Sequence, residues 1–213
     1  MIKAIFWDND GILVDTEPLY FQATREVLAH HNVVLTREEF IRISLQQGQS
    51  AFDLARDQGY DPAELEQMRR QRNRRYTRLL EEGAEALPHV EETLKALYGR
   101  FRMGIVTSSL AEHFNAIHSQ TGLLPYFDFT LTREQYAQTK PHPEPYLTAL
   151  LRCGLSPKEC IVIEDSERGL AAAVAAGLRC IAIPTELTRG GDFSQAFAVL
   201  EDVSEIPSLL NRI

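Results

Sequence analysis

Ile2-Lys3-Ala4-Ile5-Phe6-Trp7 runs directly into Asp8-Asn9-Asp10-Gly11, and the junction of these two stretches decides how the 213-residue chain is read. The first stretch is short, apolar and bounded by polar residues, the pattern of a buried strand. The second is polar, and Gly11 lets the backbone turn away sharply. Three later segments have the same form: Met103 to Thr107, Cys160 to Ile163 and Cys180 to Ile183 read as strands, with Phe127 to Leu131 and Ala196 to Leu200 as short additional ones. Helical periodicity fills the intervals over Val90 to Tyr98, Ala111 to Thr121, Pro143 to Cys153 and Arg168 to Ala176. Strand alternating with helix predicts an α/β fold, a doubly wound parallel sheet of Rossmann-like type with helices on both faces.

Residues 15–84 break the alternation, because they show only helical periodicity. Candidate helices are Pro18 to His30, Arg37 to Ser44, Ser50 to Gln58 and Pro62 to Glu81, the last opened by Asp61 as cap and Pro62 in the first turn. The expected division is a core of residues 1–14 and 85–213 and a helical domain of residues 15–84 placed above the carboxyl edge of the sheet. Arg70, Arg74 and Arg78 share one helix face at spacing four, with Glu66, Glu81 and Glu82 available as partners. That reads as a solvated face rather than an anion site.

A formal charge of -8 excludes a nucleic-acid or anionic-membrane surface as the working partner. No apolar run is long enough to span a bilayer and no signal-peptide pattern opens the chain, so a cytoplasmic protein, monomeric or weakly dimeric, is expected. Cys153, Cys160 and Cys180 are odd in number and lack metal-ligand spacing, and read as inert core thiols. The six histidines are scattered and carry no metal assignment.

In open α/β sheets ligands bind outside the carboxyl ends of the strands. Asp8-Asn9-Asp10-Gly11, Thr107-Ser108-Ser109, Lys140-Pro141 and Glu164-Asp165-Ser166 all fall at such ends. Singly, each is more often a turn, a loop or solvated surface. Their ordered occurrence after successive strands points to one site. Asp8 and Asp10, two apart in extended chain, face the same side. One carboxylate can attack phosphorus, and the other can give a proton to the leaving alkoxide and later take one from water. Asp8, Asp10, Glu164 and Asp165 beside a phosphate dianion require a cation, for which Mg2+ is the natural choice. Lys140 would add positive charge, and Thr107 or Ser108 would hydrogen-bond a phosphoryl oxygen.

Four blocks together resemble the haloacid dehalogenase superfamily over essentially the whole chain: Phe6 to Glu17, Val106 to Ser109, Lys140 to Tyr146, and Ile163 to Ser166 with Gly169 and Ala172 to Gly177. The resemblance implies a nucleophile at Asp8, an acid/base at Asp10, phosphate binding by Thr107, an orienting Lys140, and metal held by Asp8, the Asp10 carbonyl and Asp165 with Glu164 close by. It also implies a helical cap like that of the phosphoglycolate phosphatase and β-phosphoglucomutase branch, closing over the substrate. Ser108, Asn9, Gly11, Glu17 and Tyr20 are further candidates for substrate contact, with Arg42 and Gln47 behind them and Gly48 marking a cap loop that reaches the core.

Two departures bear on the activity. Trp7 and Asn9 are unusual before and between the aspartates, but both are spacer positions and the chemistry needs neither side chain. Tyr20 stands where a mutase would want a histidine, and residues 15–84 contain no lysine for phosphonate chemistry. The expected function is therefore magnesium-dependent hydrolysis of a small phosphorylated metabolite, a sugar phosphate or phosphoglycolate-like ester, through an aspartyl-phosphate. The alternatives are a sugar-phosphate mutase and a non-catalytic regulatory protein that binds the metabolite.

Overall fold

The computed structural model describes residues 1–213. Six parallel strands form one sheet in the order β3-β2-β1-β4-β5-β6: β1 Ala4–Trp7, β2 Arg102–Val106, β3 Phe129–Leu131, β4 Cys160–Glu164, β5 Arg179–Ala182 and β6 Ala198–Val199. β1 lies centrally because it carries no charge and both its faces are covered. Ile5 and Trp7 point into a 25-residue hydrophobic cluster on one side, while Ala4 and Phe6 join a 16-residue cluster on the other. Such near-continuous apolar runs are the mark of strands buried on both faces. Gly104 in β2 is required by this packing, since a Cβ there would lie 2.2 Å from the Phe129 ring.

The register levels the strand ends. Trp7 pairs with Ile105 of β2 and Ile163 of β4, so Asp8, Thr107 and Glu164-Asp165 emerge side by side. The strand order reverses between β1 and β4, the place where open sheets form their ligand crevice. Helices α5 Val90–Leu97, α6 Ala111–His118, α7 Glu144–Cys153, α8 Glu167–Ala175 and α9 Ile206–Leu210 complete this part of the chain.

Between β1 and β2 lie α1 Glu17–His30, α2 Arg37–Phe40, α3 Asp53–Asp57 and α4 Pro62–Gly83. Ten buried residues from Val27 to Met68 make a hydrophobic cluster of their own within this helical insert. Its two connections run together where Val14 bridges Ala86 and Leu87 donates to the Leu13 carbonyl at 3.0 Å. Both α2 and α4 open on capping boxes, Thr36 with Glu39 and Asp61 with Glu64. The helix expected over Arg37 to Ser44 instead changes at Ile41 into a π-helical turn, Ile41–Gln46. The one expected from Ser50 begins only at Asp53, because the Ser50 hydroxyl accepts from the Phe52 amide at 3.3 Å and its carbonyl closes a turn.

Candidate active site

Asp8 follows β1 with its amide donating to the Ile163 carbonyl at 2.9 Å, which fixes the backbone against β4. Its Oδ1 lies 2.8 Å from Lys140 Nζ. Lys140, before α7 and joined to Pro141 by a cis peptide, also donates to Glu164 Oε1 at 2.6 Å and to the Val106 carbonyl at 2.9 Å. These three acceptors use the three protons of the ammonium. Glu164 is fully buried and further held by the Tyr146 hydroxyl at 2.5 Å and the Ser166 hydroxyl at 3.3 Å. Gly169 makes room for it, since a Cβ there would fall 1.9 Å from the carboxyl group.

Burial pushes the Asp8 carboxyl up to about 8, with the Glu164 charge adding and Lys140 opposing. Burial works against the Lys140 charge too, but Asp8 and Glu164 more than offset it, so its pKa is raised. Asp165, the next residue after β4, is raised well above the carboxylate range by burial and then by Glu17 and Asp8. Its Oδ2 is buried without a hydrogen-bond partner. Oxygens of Asp8, Glu164 and Asp165 lie within 4.8 Å of one another. Hard oxygen donors this close, one of them orphaned, suit a small divalent cation. Gly11, at φ +80°, gives Asp165 its space: a Cβ would sit 2.7 Å from Oδ2.

Asp10 accepts hydrogen bonds from the hydroxyls of Thr16, of Thr107 at 3.2 Å and of Ser109 at 2.8 Å. Thr107 is completely buried, and its hydroxyl also accepts from the Ser109 amide at 3.0 Å. Tyr136 binds the Thr107 carbonyl at 2.5 Å. Thr107 therefore faces Asp10 and does not line the open cavity, whereas Ser108 does. Asn9 does not reach the cavity either. Strand alternation turns its side chain to the opposite side from Asp8 and Asp10, where it is buried against His118 at 2.7 Å.

The cavity, about 240 Å³, is walled by Asp8, Asp10, Ser108, Lys140 and Asp165 from the sheet end and by Glu17, Tyr20 and Tyr76 from the insert. Burial and then Asp10 and Asp15 push the Glu17 carboxyl up to about 7. A neighbouring cavity of about 350 Å³ shares Tyr20 and Arg168 and adds Arg72, Gln49 and Ser50, with no carboxylate in its lining. Arg72 stacks over Tyr20 at 4.3 Å. Arg168 spans the two parts of the chain, donating to the Lys140 carbonyl at 2.5 Å and the Ser44 carbonyl at 3.4 Å and packing on Gly48, while its Nε has no partner. Arg42 and Gln47 are exposed and line neither cavity. A third cavity, about 390 Å³, lies beyond Gly11 between Phe21 and Pro184 and holds none of Asp8, Asp10, Lys140 or Asp165.

The arginine-rich helix α4 is mostly the solvated face expected: Glu66 pairs with Arg69 at 3.7 Å and Arg70 at 3.5 Å, and Arg75 with Glu26 at 2.6 Å. Arg72 is the exception. Sequence reasoning gives no individual role to it, to Arg168, or to Ser109 and Tyr146, which lie within the blocks that carry the resemblance. Ser109 was findable, being two residues from Thr107 and so on the same side. Arg72 and Tyr146 carried no local signal, because their partners are distant in sequence.

A family model for haloacid dehalogenase-like hydrolases matches residues 5–183. The chain is 32% identical over 215 residues to the protein CbbY of Rhodobacter capsulatus, covering 95% of this chain and 94% of that one. It is 30% identical over 183 residues to the fructose-1-phosphate phosphatase YqaB of Escherichia coli, covering 83% and 94%. Among solved structures, CbbY of Rhodobacter sphaeroides in complex with phosphate superposes with a TM-score of 0.82 at 28% identity, covering 97% of this chain and 96% of that one. No helix is long and apolar enough to cross a membrane.

Proposed function

The chain belongs to the haloacid dehalogenase-like hydrolases and is a phosphatase of that family, and we propose that it hydrolyses a small phosphorylated carbohydrate through an aspartyl-phosphate on Asp8, with magnesium bound beside it. The observation that carries this reading is the buried meeting of Asp8, Lys140, Glu164 and Asp165, with one Asp165 oxygen unpartnered. Asp8 attacks phosphorus as the bond to the ester oxygen breaks, and Asp10 gives that oxygen its proton. Water then attacks the acyl phosphate while Asp10 takes a proton back, releasing phosphate and restoring Asp8. The hydroxyls of Thr16, Thr107 and Ser109 hold Asp10 for both transfers.

Asp8, the Asp10 carbonyl and Asp165 would hold the cation, with Glu164 fixing Lys140 behind them. A magnesium ion bound there supplies charge screening between the Asp8 carboxylate and the incoming phosphate. Residues 15–84 act as the cap in this reading. Glu17 and Tyr20 meet the ester's organic part, and the acid-free cavity with Arg72 and Arg168 accommodates its polar end. Fructose-1-phosphate phosphatase among the relatives supports a carbohydrate ester. Tyr20, stacked under Arg72 and against Tyr76 at 5.2 Å, offers no imidazole to return a phosphoryl group to substrate, which favours water as acceptor over a mutase.

The test is hydrolysis of a generic aryl phosphate with and without magnesium, then with chelator, in wild type and Asp8→Asn. Turnover should require the cation and vanish in the variant. Unchanged turnover in Asp8→Asn would remove the covalent step.

A further inference from the structure

We infer that Asn9 and His118 are positioning residues, a buried polar pair that sets the orientation of the two aspartates on either side of Asn9. The inference rests on the phosphatase reading of Asp8 and Asp10. Asn9 is 0% exposed, in a place where an apolar side chain would satisfy packing alone. A buried amide is costly unless it is hydrogen-bonded. Its Oδ1 lies 2.7 Å from His118 Nε2 while its Nδ2 is buried without a partner, so the His118 contact is the one that holds the amide, and His118 Nδ1 lies 2.8 Å from the Thr121 hydroxyl. Burial pushes His118 down to about 4, so the ring is neutral at ordinary pH and one nitrogen donates while the other accepts. The contacts fix which: Thr121 donates to Nδ1, and Nε2–H donates to Asn9.

The main chain of Asn9 is held more firmly than its side chain. Its carbonyl accepts from the amides of Ile12 at 3.3 Å, Leu13 at 2.8 Å and Val14 at 3.2 Å, closing the loop that carries Asp10 and Gly11. The torsions of this residue set how the Asp8 and Asp10 carboxylates face each other. The far anchor is in α6, which follows the Thr107–Ser109 loop binding Asp10 from the other side. Asp10 is thus fixed in front by hydroxyls and from behind through Asn9.

The consequence is for rate rather than affinity, since neither Asn9 nor His118 lines the cavity. Steady-state kinetics on an aryl phosphate would compare wild type with Asn9→Leu, His118→Leu, the double variant, His118→Gln and Thr121→Val. Each leucine variant should lower kcat about tenfold or more with KM within about twofold. The double variant should be no worse than the poorer single, because both remove one unit. His118→Gln, which keeps a donor, should recover to within about threefold of wild type. Thr121→Val, at a half-buried position, gives a milder probe with kcat down severalfold should the leucine variants not fold. Additive losses in the double variant, a rise in KM at constant kcat, or unchanged kcat in Asn9→Leu or in Thr121→Val would overturn the inference. Absence of any aryl phosphatase activity in wild type would instead overturn the phosphatase reading beneath it.

Discussion

Lys140 Nζ stands 2.8 Å from Asp8 Oδ1, and both side chains are almost wholly removed from solvent. Removing one partner of such a pair leaves the other charge buried and uncompensated, which typically costs about 3–5 kcal/mol. Here two acids lose their partner, since Glu164 lies 2.6 Å from the same ammonium. Lys140→Met is expected to lower stability by about that amount and to abolish phosphatase turnover. Thermal melts at pH 5 and pH 9 check the cause. The destabilisation should be smaller at pH 5, where burial keeps the Asp8 carboxyl protonated with or without the lysine, than at pH 9, above its value of about 8; equal losses at both pH values would assign the effect to packing.

The carboxylates also set how cation binding depends on pH. Burial raises Asp8 to about 8 in the folded chain and raises Asp165 well above its ordinary value. A raised acid keeps its proton when folded and releases it when unfolded, so the unfolded state binds fewer protons between the two pKa values. Stability from these groups is therefore greatest near pH 4 and declines as pH climbs toward 8. A divalent cation needs the deprotonated forms and reverses the loss. The rise in melting temperature caused by magnesium should be small at pH 6 and larger at pH 8. A rise independent of pH would mean that these carboxylates are not the ligands.

Gly169→Ala tests the space that the ion pair needs. The added methyl would fall 1.9 Å from the Glu164 carboxyl, which is fully buried and tied to Lys140 and Tyr146. Overpacking alone costs about 1–3 kcal/mol, and displacing Glu164 also loosens Lys140. The variant is expected to lose both stability and kcat, read by chemical denaturation and by aryl phosphate turnover. Gly190→Ala is the control for handling and expression, because nothing lies within 4 Å of a Cβ there and its backbone lies outside the left-handed region.

The sheet was legible because its strands announce themselves locally. Ile2 to Trp7 is apolar throughout, and the polar residues after it can only lie at a strand end. The same logic brought Asp8, Lys140, Glu164 and Asp165 to one place before any coordinates. Orientation was the part that escaped. The sequence pattern assigns Thr107 and Asn9 to substrate contact, and in the structure the Thr107 hydroxyl donates to Asp10 while the Asn9 amide oxygen meets His118. Deciding those directions needs partners more than ninety residues distant, and no local pattern supplies them. Arg72 escaped for a similar reason. Its neighbours Arg69, Arg70 and Arg75 pair with glutamates, and the helix repeat by itself does not reveal that one arginine of the run faces Tyr20 and Phe52.

That exception gives the last prediction. Arg72 and Arg168 bring two guanidinium groups to a cavity with no acid in its lining, and neither has a carboxylate partner in the chain. A cation kept unpaired beside the site is available to oxygen atoms of the bound ester. A hydrogen bond to a charged group contributes about 1.5–3 kcal/mol, which is roughly 10- to 150-fold in an equilibrium constant. Arg72→Met should keep the aliphatic packing on Tyr20 and lose the charge. KM for a sugar phosphate is expected to rise by at least about tenfold on that arithmetic, with a much smaller change for an aryl phosphate, whose ring offers the cavity no hydroxyls. Parallel saturation curves for the two esters make the comparison, and an equal change in KM for both would show that Arg72 holds the insert in place and does not read the substrate.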